Sequence, residues 1–269
     1  MFSSPLLVQG WQELGERGRV HRDYLALLAI QAFVLLIWWP KSTLYFTLVG
    51  QHSPNTVLAM SIASGACISY IGIRFGAEEF RSGERYTLLE WVVLTDISIT
   101  RALLGYVLVS VMQMVYWLLL TAPLMVLALT ISPSNWQGAG LNLLGVTLLG
   151  ISHILVGGLL YVWIGHRATL AYLMVRATFL TWLAGTALFL APVSHVVLAY
   201  RQFGEARQPD GFEMVQLIGW GIEGSASVFI AIYSALIAVL IAVLGRLLAQ
   251  RRAQHATRAS SADAPGVDQ

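Results

Sequence analysis

Between residues 102 and 166 the chain carries no Asp, Glu, Lys or Arg. An uncharged run of that length is too long and too apolar for a single core helix of a water-soluble domain. In a bilayer it divides into two crossings, because a helix needs about 20 residues to span a hydrocarbon core of about 30 Å. The stretch SPSNWQGAG at 132–140 supplies the break, so helices are expected over 102–131 and 141–164. So short a connection makes them antiparallel neighbours. Composition extends the bias to the whole chain: 57% of residues are apolar and 11% charged, against roughly 25% charged in soluble domains. Mean hydropathy is +0.69. The fold class these features define is an all-α integral membrane protein.

The remaining apolar runs set the expected number of crossings at six. Residues 1–23 hold Glu13, Glu16, Arg17, Arg19, Arg22 and Asp23, with no small-residue cleavage site after a short apolar core. They read as a cytoplasmic leader with a short interfacial helix, not as a secretory signal. The first span covers 24–49, with Trp38 and Trp39 at headgroup depth and Pro40 and Lys41 near its far end. The second covers 56–75 and is rich in small residues (Ala59, Ser61, Ala63, Ser64, Gly65, Ala66), which suits a bundle interior. A fifth span is expected over 168–190 and a sixth over 225–248, after an irregular region at 194–224. The six-span domain is thus 24–248, and the polar tail 249–269 is expected to be disordered.

Orientation follows from the cations. With both termini cytoplasmic, the inner side holds Arg17, Arg19, Arg22, Arg74, Arg81, Arg85, Arg101, Arg167, Arg246, Arg251, Arg252 and Arg258. The outer side holds Lys41, Arg201 and Arg207, while Arg176 falls inside the fifth span. That asymmetry is the positive-inside pattern.

One segment breaks the apolar monotony. Residues 75–101 carry Glu78, Glu79, Arg81, Glu84, Arg85, Glu90, Asp96 and Arg101, roughly a quarter of the formal charge. Glu78, Arg81, Glu84, Thr87 and Glu90 recur every three residues as a polar ridge, while Tyr86, Leu89 and Val93 follow helical spacing on another side. An amphipathic helix lying on the cytoplasmic surface between spans two and three satisfies both faces.

Candidate chemistry is sparse. Lys41, the single lysine, has no glycine-rich phosphate loop before it, so no nucleotide site is expected in this chain. Cys67 stands alone in an apolar run and reads as a small buried hydrophobe, and no metal site is expected. Glu78-Glu79 invites comparison with the EExxxR pattern of intramembrane CAAX-type proteases, but Gly83 occupies the arginine position. No catalytic residue is therefore assigned. Three ionisable residues are candidates for a pathway or gate. His153 lies mid-span, as either a neutral group bonded to a neighbouring helix or a substrate or proton site. Arg176 either snorkels to the cytoplasmic face or acts within the span. Glu223, where Gly219, Gly221 and Gly224 loosen the helix, lines a polar cavity or sits at the outer interface. The net charge of +2 gives no sign of nucleic-acid binding, and no such partner is expected.

Residues 79–105 resemble the region between the second and third spans of ABC-2 type transporter permeases. There an acidic residue, a basic residue and Gly-Thr are followed by Glu, leucines, Pro and a hydroxyl residue ahead of span three. Glu79, Arg81, Ser82 and Gly83 fit the first part, and Thr87, Glu90, Leu94, Thr95, Ile97 and Ser98 the second, with Leu104 and Gly105 opening the span. Gly83 and Thr87 are separated by Glu84, Arg85 and Tyr86, Asp96 stands at the proline position, and Tyr106 replaces a common lysine.

The resemblance implies a coupling helix at 78–95, with Glu78, Glu79, Arg81, Gly83, Glu84, Thr87, Glu90 and Trp91 meeting an ATPase. It also implies a re-entrant region of short helices before span six. The partners it implies are an ABC ATP-binding subunit that holds ATP and Mg, a second permease chain forming a homo- or heterodimer, and the lipid bilayer. The chain itself would hold no cofactor and hydrolyse nothing. The expected setting is the cell (inner) membrane of a bacterium, with export of a hydrophobic or amphipathic substrate. The rival reading is an ATP-independent membrane protein, either a secondary carrier or an assembly scaffold. A Glu84→Cys variant in a Cys67→Ser background should react with an impermeant maleimide only from the cytoplasmic side; labelling from the outside would remove the coupling helix.

Overall fold

Ser98 shows how the sequence starts its longest apolar helix. Its hydroxyl accepts from the Arg101 backbone N–H at 3.4 Å, and its carbonyl accepts from Ala102 N–H at 3.1 Å. That is an N-cap, satisfying donors that have no partner inside the helix. The computed structural model describes residues 18–39, 56–79, 92, 97–131, 136–164, 215–217, 222–224 and 226–262. In these lie helices α1 (Gly18–Ile37), α2 (Thr56–Glu79), α3 (Ile99–Ile131), α4 (Trp136–Ile164) and α5 (Ala226–Ala262), with strands β1 (Val215–Leu217) and β2 (Ile222–Gly224).

Among the described residues three segments are long and apolar enough to cross a membrane: Ile99–Ile131, Leu143–Trp163 and Ile230–Thr257. A fourth apolar helical stretch, Tyr24–Ile37, is shorter. The chain is thus a helical membrane protein in its described parts, and the expected fifth span at 168–190 lies outside them.

Several boundaries differ from the sequence reading. Helix α1 begins at Gly18, inside the expected leader, and ends at Ile37 instead of running on to 49. Pro40 accounts for the stop, since the residue before a proline is driven out of helical backbone. Thr56 Oγ1, at the head of α2, donates to the Trp38 carbonyl at 3.1 Å and ties the two helix ends together. Helix α4 starts at Trp136, so the α3–α4 break is shorter than 132–140. Helix α5 continues through the expected disordered tail to Ala262. The described end of the region before α5 is an antiparallel hairpin, with Val215 paired to Gly224 and Leu217 to Ile222. Short re-entrant helices were expected there. Val215 and Ile222 are β-branched, and the intervening IGWG carries two glycines, a composition that favours a hairpin over a helix.

Contacts fix the helix directions. Gln31 bonds to Ser64 and Trp38 to Thr56, so α1 and α2 are antiparallel. Tyr106 Oη donates to the Ile154 carbonyl at 3.0 Å while Met114 meets Gly150, so α3 and α4 are antiparallel, as expected. Gly72 faces Gly150 and Gly76 faces Ile154 and Gly158, so α2 and α4 run parallel. Leu103 touches Gly245 and Ile97 receives Arg252, which sets α5 antiparallel to α3 and parallel to α4.

Helix α4 is the axis of the bundle. It packs on α2 most extensively, then on α5 and α3. Of its spanning window 67% is buried inside the protein, against 11% for α5. The α2–α4 seam is made by backbone. A Cβ on Gly76 would strike the Ile154 carbonyl, and one on Gly157 would strike the Ile73 carbonyl. Glycine lets two helices approach until main chains touch, which is how packing is gained where lipid offers no hydrophobic drive. The expectation that the second span lies in the bundle interior holds, because Met60, Ser61, Ser64, Ile68, Ser69 and Ile73 are all buried.

Directions also sort the charges. The N-terminal end of α1, the C-terminal end of α2, the start of α3 and the C-terminal part of α5 lie at one end of the bundle. All the arginines of the described residues (Arg19, Arg22, Arg74, Arg101, Arg246, Arg251, Arg252, Arg258) belong to that end. Replacing Gly76 with Ala should lower stability by about 3 kcal/mol, because the methyl group meets backbone that cannot rotate away. Gly140 has nothing within 4 Å of an added Cβ, and Gly140→Ala should instead raise stability by about 0.5 kcal/mol through helix propensity. Reversible unfolding in bicelles measures both.

Candidate functional site: the polar interior and the arginine-bearing end

On α1, residues Tyr24, Leu27, Gln31 and Leu35 are buried at heptad-like spacing, forming its inner stripe. On α3 the inner stripe includes Tyr106, Ser110, Gln113, Trp117 and Thr121. The two stripes meet where Tyr24 packs edge-on against Trp117, with ring centroids 6.3 Å apart and planes at 83°. Phe75 of α2 takes the other side of Trp117 at 6.4 Å. Around these rings the interior is polar in places. Gln31 Nε2 donates to Ser64 Oγ at 2.7 Å, joining α1 to α2. Ser61, Ser69 and Ser110 turn their hydroxyls back onto carbonyls of their own helices, so they add little polarity.

Four atoms stand out against that satisfied background. Both amide atoms of Gln113, the Tyr24 hydroxyl and Gln31 Oε1 are buried without a hydrogen-bond partner. Each such group costs free energy in an apolar surround. What this set can do is bind a neutral polar group or orient helices. It has no charge with which to activate a nucleophile. Among the described residues no group of three or more His, Cys, Asp or Glu is placed to hold a metal.

His153 is buried in α4 at 4% exposure. Its Nδ1 lies 2.7 Å from the Leu149 carbonyl, which also accepts from Ser152 Oγ at 2.7 Å. A carbonyl only accepts, so Nδ1 carries the proton. That bond stays within its own helix, and the His153 Cβ would lie 3.3 Å from a Cβ on Gly72. His153 therefore belongs to the α2–α4 seam. Glu223 stands in β2 opposite Gln216, a strand position and not the loosened helix anticipated from its glycines.

Glu78 and Glu79 close helix α2, at the arginine-bearing end. Arg81, Gly83, Glu84, Thr87, Glu90 and Trp91 lie outside the described residues, as does Arg176. Of the sequence candidates, then, the fold positions His153, Glu223 and the backbone of Glu78 and Glu79, and it does not gather them into one site. The residues that sequence reading passed over are Gln31, Gln113, Tyr24 and the glycines of the seam. Gly72 and Gly76 stand four apart and Gly157 and Gly158 are adjacent, which is the signal of close helix packing. The two glutamines are amides alone in apolar runs, and nothing in their spacing links one to the other.

Set beside known proteins, the chain matches no family model, no curated protein and no solved structure.

Gln113→Met keeps shape while removing two unpartnered buried atoms, and should raise stability by about 1 kcal/mol. A thermal melt of the purified chain reads the shift. A loss of stability would mean that the amide is bonded in the membrane.

Proposed function

We propose that this chain is the membrane subunit of an ABC-2 type transporter, driven by a separate ATP-binding subunit that docks on residues 78–95. The carrying observation is the placement of charge. The link from α2 to α3, which contains that stretch, leaves and re-enters the bundle at the end that bears every described arginine. By the positive-inside rule that end faces the cytoplasm, where an ATPase would be. The parallel run of α4 and α5 further supports the six-span arrangement, since an odd number of crossings must separate them.

On this reading the motor acts on a lever. ATP-driven closure of two ATPase subunits pushes the 78–95 segment, and the push enters the bundle through α2. The backbone contact of α2 with α4 makes those helices a rigid pair, so the motion is a tilt of a packed group and not a bending of one helix. Glu79, Arg81, Glu84 and Glu90 supply polar contacts to the motor, and Tyr86, Leu89 and Trp91 hold the segment to the span ends. The neutral hydrogen-bonding interior of Gln31, Tyr24 and Gln113 suits a hydrophobic or amphipathic cargo better than an ion.

The test is co-purification from native membranes. The tagged full chain should bring down a soluble ATPase, and Arg81→Glu should reduce its recovery at least tenfold while membrane insertion is unchanged. Equal recovery would remove the docking role. Cargo movement by the pure chain without any ATPase would favour a carrier that needs no ATP.

A further inference from the structure

Helix α5 carries Arg246, Arg251, Arg252 and Arg258 and not one Asp or Glu from 226 to 262. Arg246, Arg251 and Arg252 fall into two groups by direction. Arg251 donates to the Trp163 carbonyl at 3.2 Å and Arg252 to the Ile97 carbonyl at 3.1 Å. These two straddle the bundle and pin α5 to the end of α4 and the start of α3. Arg246 points the other way. At 100° per residue it shares the outward face with Val239, Val243 and Gln250, all of them exposed.

Depth matters as much as direction. Gly245 lies against Leu103, about a turn inside the Ser98 cap of α3, and Trp163 is 63% exposed at the same end. Arg246 thus stands where hydrocarbon gives way to headgroups. Below it, Val239 lies about 10 Å deeper along the helix, at 1.5 Å per residue. An apolar track of that length ending in a guanidinium matches an acyl chain ending in a phosphate. A guanidinium holds a phosphate through paired hydrogen bonds as well as charge.

We propose that the outer face of α5 binds an anionic phospholipid of the arginine-facing leaflet, its headgroup on Arg246 and its chain along Val243 and Val239. The site needs only the membrane reading of the chain and not its role as a transporter subunit, so either can fail alone. Charge complementarity selects the occupant. With no carboxylate on α5, a zwitterionic lipid or a second copy of this helix gains less here than a net negative headgroup, and basic residues beside a span attract anionic lipid at roughly a fivefold affinity gain each.

The experiment uses the full-length chain in nanodiscs of mixed phosphatidylcholine and phosphatidylglycerol, with retained lipid counted by native mass spectrometry. The wild-type chain should retain phosphatidylglycerol in preference. Arg246→Ala should cut that retention roughly fivefold, and Arg246→Lys should restore most of it. Equal retention of both lipids by the wild type, or undiminished retention by Arg246→Ala, would overturn the site. Efficient disulfide cross-linking of Val239→Cys chains to one another, in a Cys67→Ser background, would also overturn it by assigning the face to a second copy.

Discussion

Main chain against main chain between α2 and α4 is the contact on which the bundle depends. Gly76 and Gly157 remove the side chains that would hold these helices apart, and the backbone of one lies on the backbone of the other. In lipid, apolar side chains gain little by leaving one hydrocarbon surround for another, so close packing and interhelical hydrogen bonds must provide the cohesion. The other members are arranged around this pair. Helix α3 leans on α4 through Met114 at Gly150 and the Tyr106–Ile154 bond. Helix α1 holds to α2 through Gln31–Ser64, and α5 is pinned at one end by Arg251 and Arg252.

This packing gives an economy of charge. Among the described residues the arginines belong to one end, where Arg251 caps a carbonyl that the end of a helix leaves unsatisfied. Trp163 O belongs to the last turn of α4 and receives Arg251. Among the described residues the buried polar side chains include no Asp, Glu, Lys or Arg, and several hydroxyls are returned to their own helix. The exceptions, Gln113 above all, are the places where the fold is less than fully satisfied, and such places are where function is most often found.

Much of the helical layout was legible in the sequence because lipid imposes a length and forbids charge. The uncharged run at 102–166 yields α3 and α4, and the small residues of 56–75 mark α2 as interior. Ends were less legible. Pro40 signals a stop before 49, yet hydropathy continues past it, and hydropathy governed the expected boundary. The helix through Ala262 was missed because polar composition says nothing against a helix once one is nucleated and extended from the membrane. The hairpin at 215–224 was missed because glycines were read as loosening a helix instead of turning a strand. The buried amides were illegible for a different reason: what surrounds Gln31 and Gln113 is decided by the order in which helices pack, and one sequence does not encode that order in any local pattern. The charged 78–95 segment was the most distinctive stretch of the sequence, and its residues beyond Glu79 are mostly outside the described part of the fold.

The parallel course of α2 and α4 has a consequence for how the protein is made. Two neighbours pointing the same way cannot be consecutive, so their seam closes only after α3 has been inserted and α4 has emerged. Until then α2 waits in the bilayer with its glycine groove uncovered and its serines turned inward upon themselves. A ribosome pausing before residue 157 would leave this helix without the partner its glycines fit, and quality-control proteases of the membrane would meet it first.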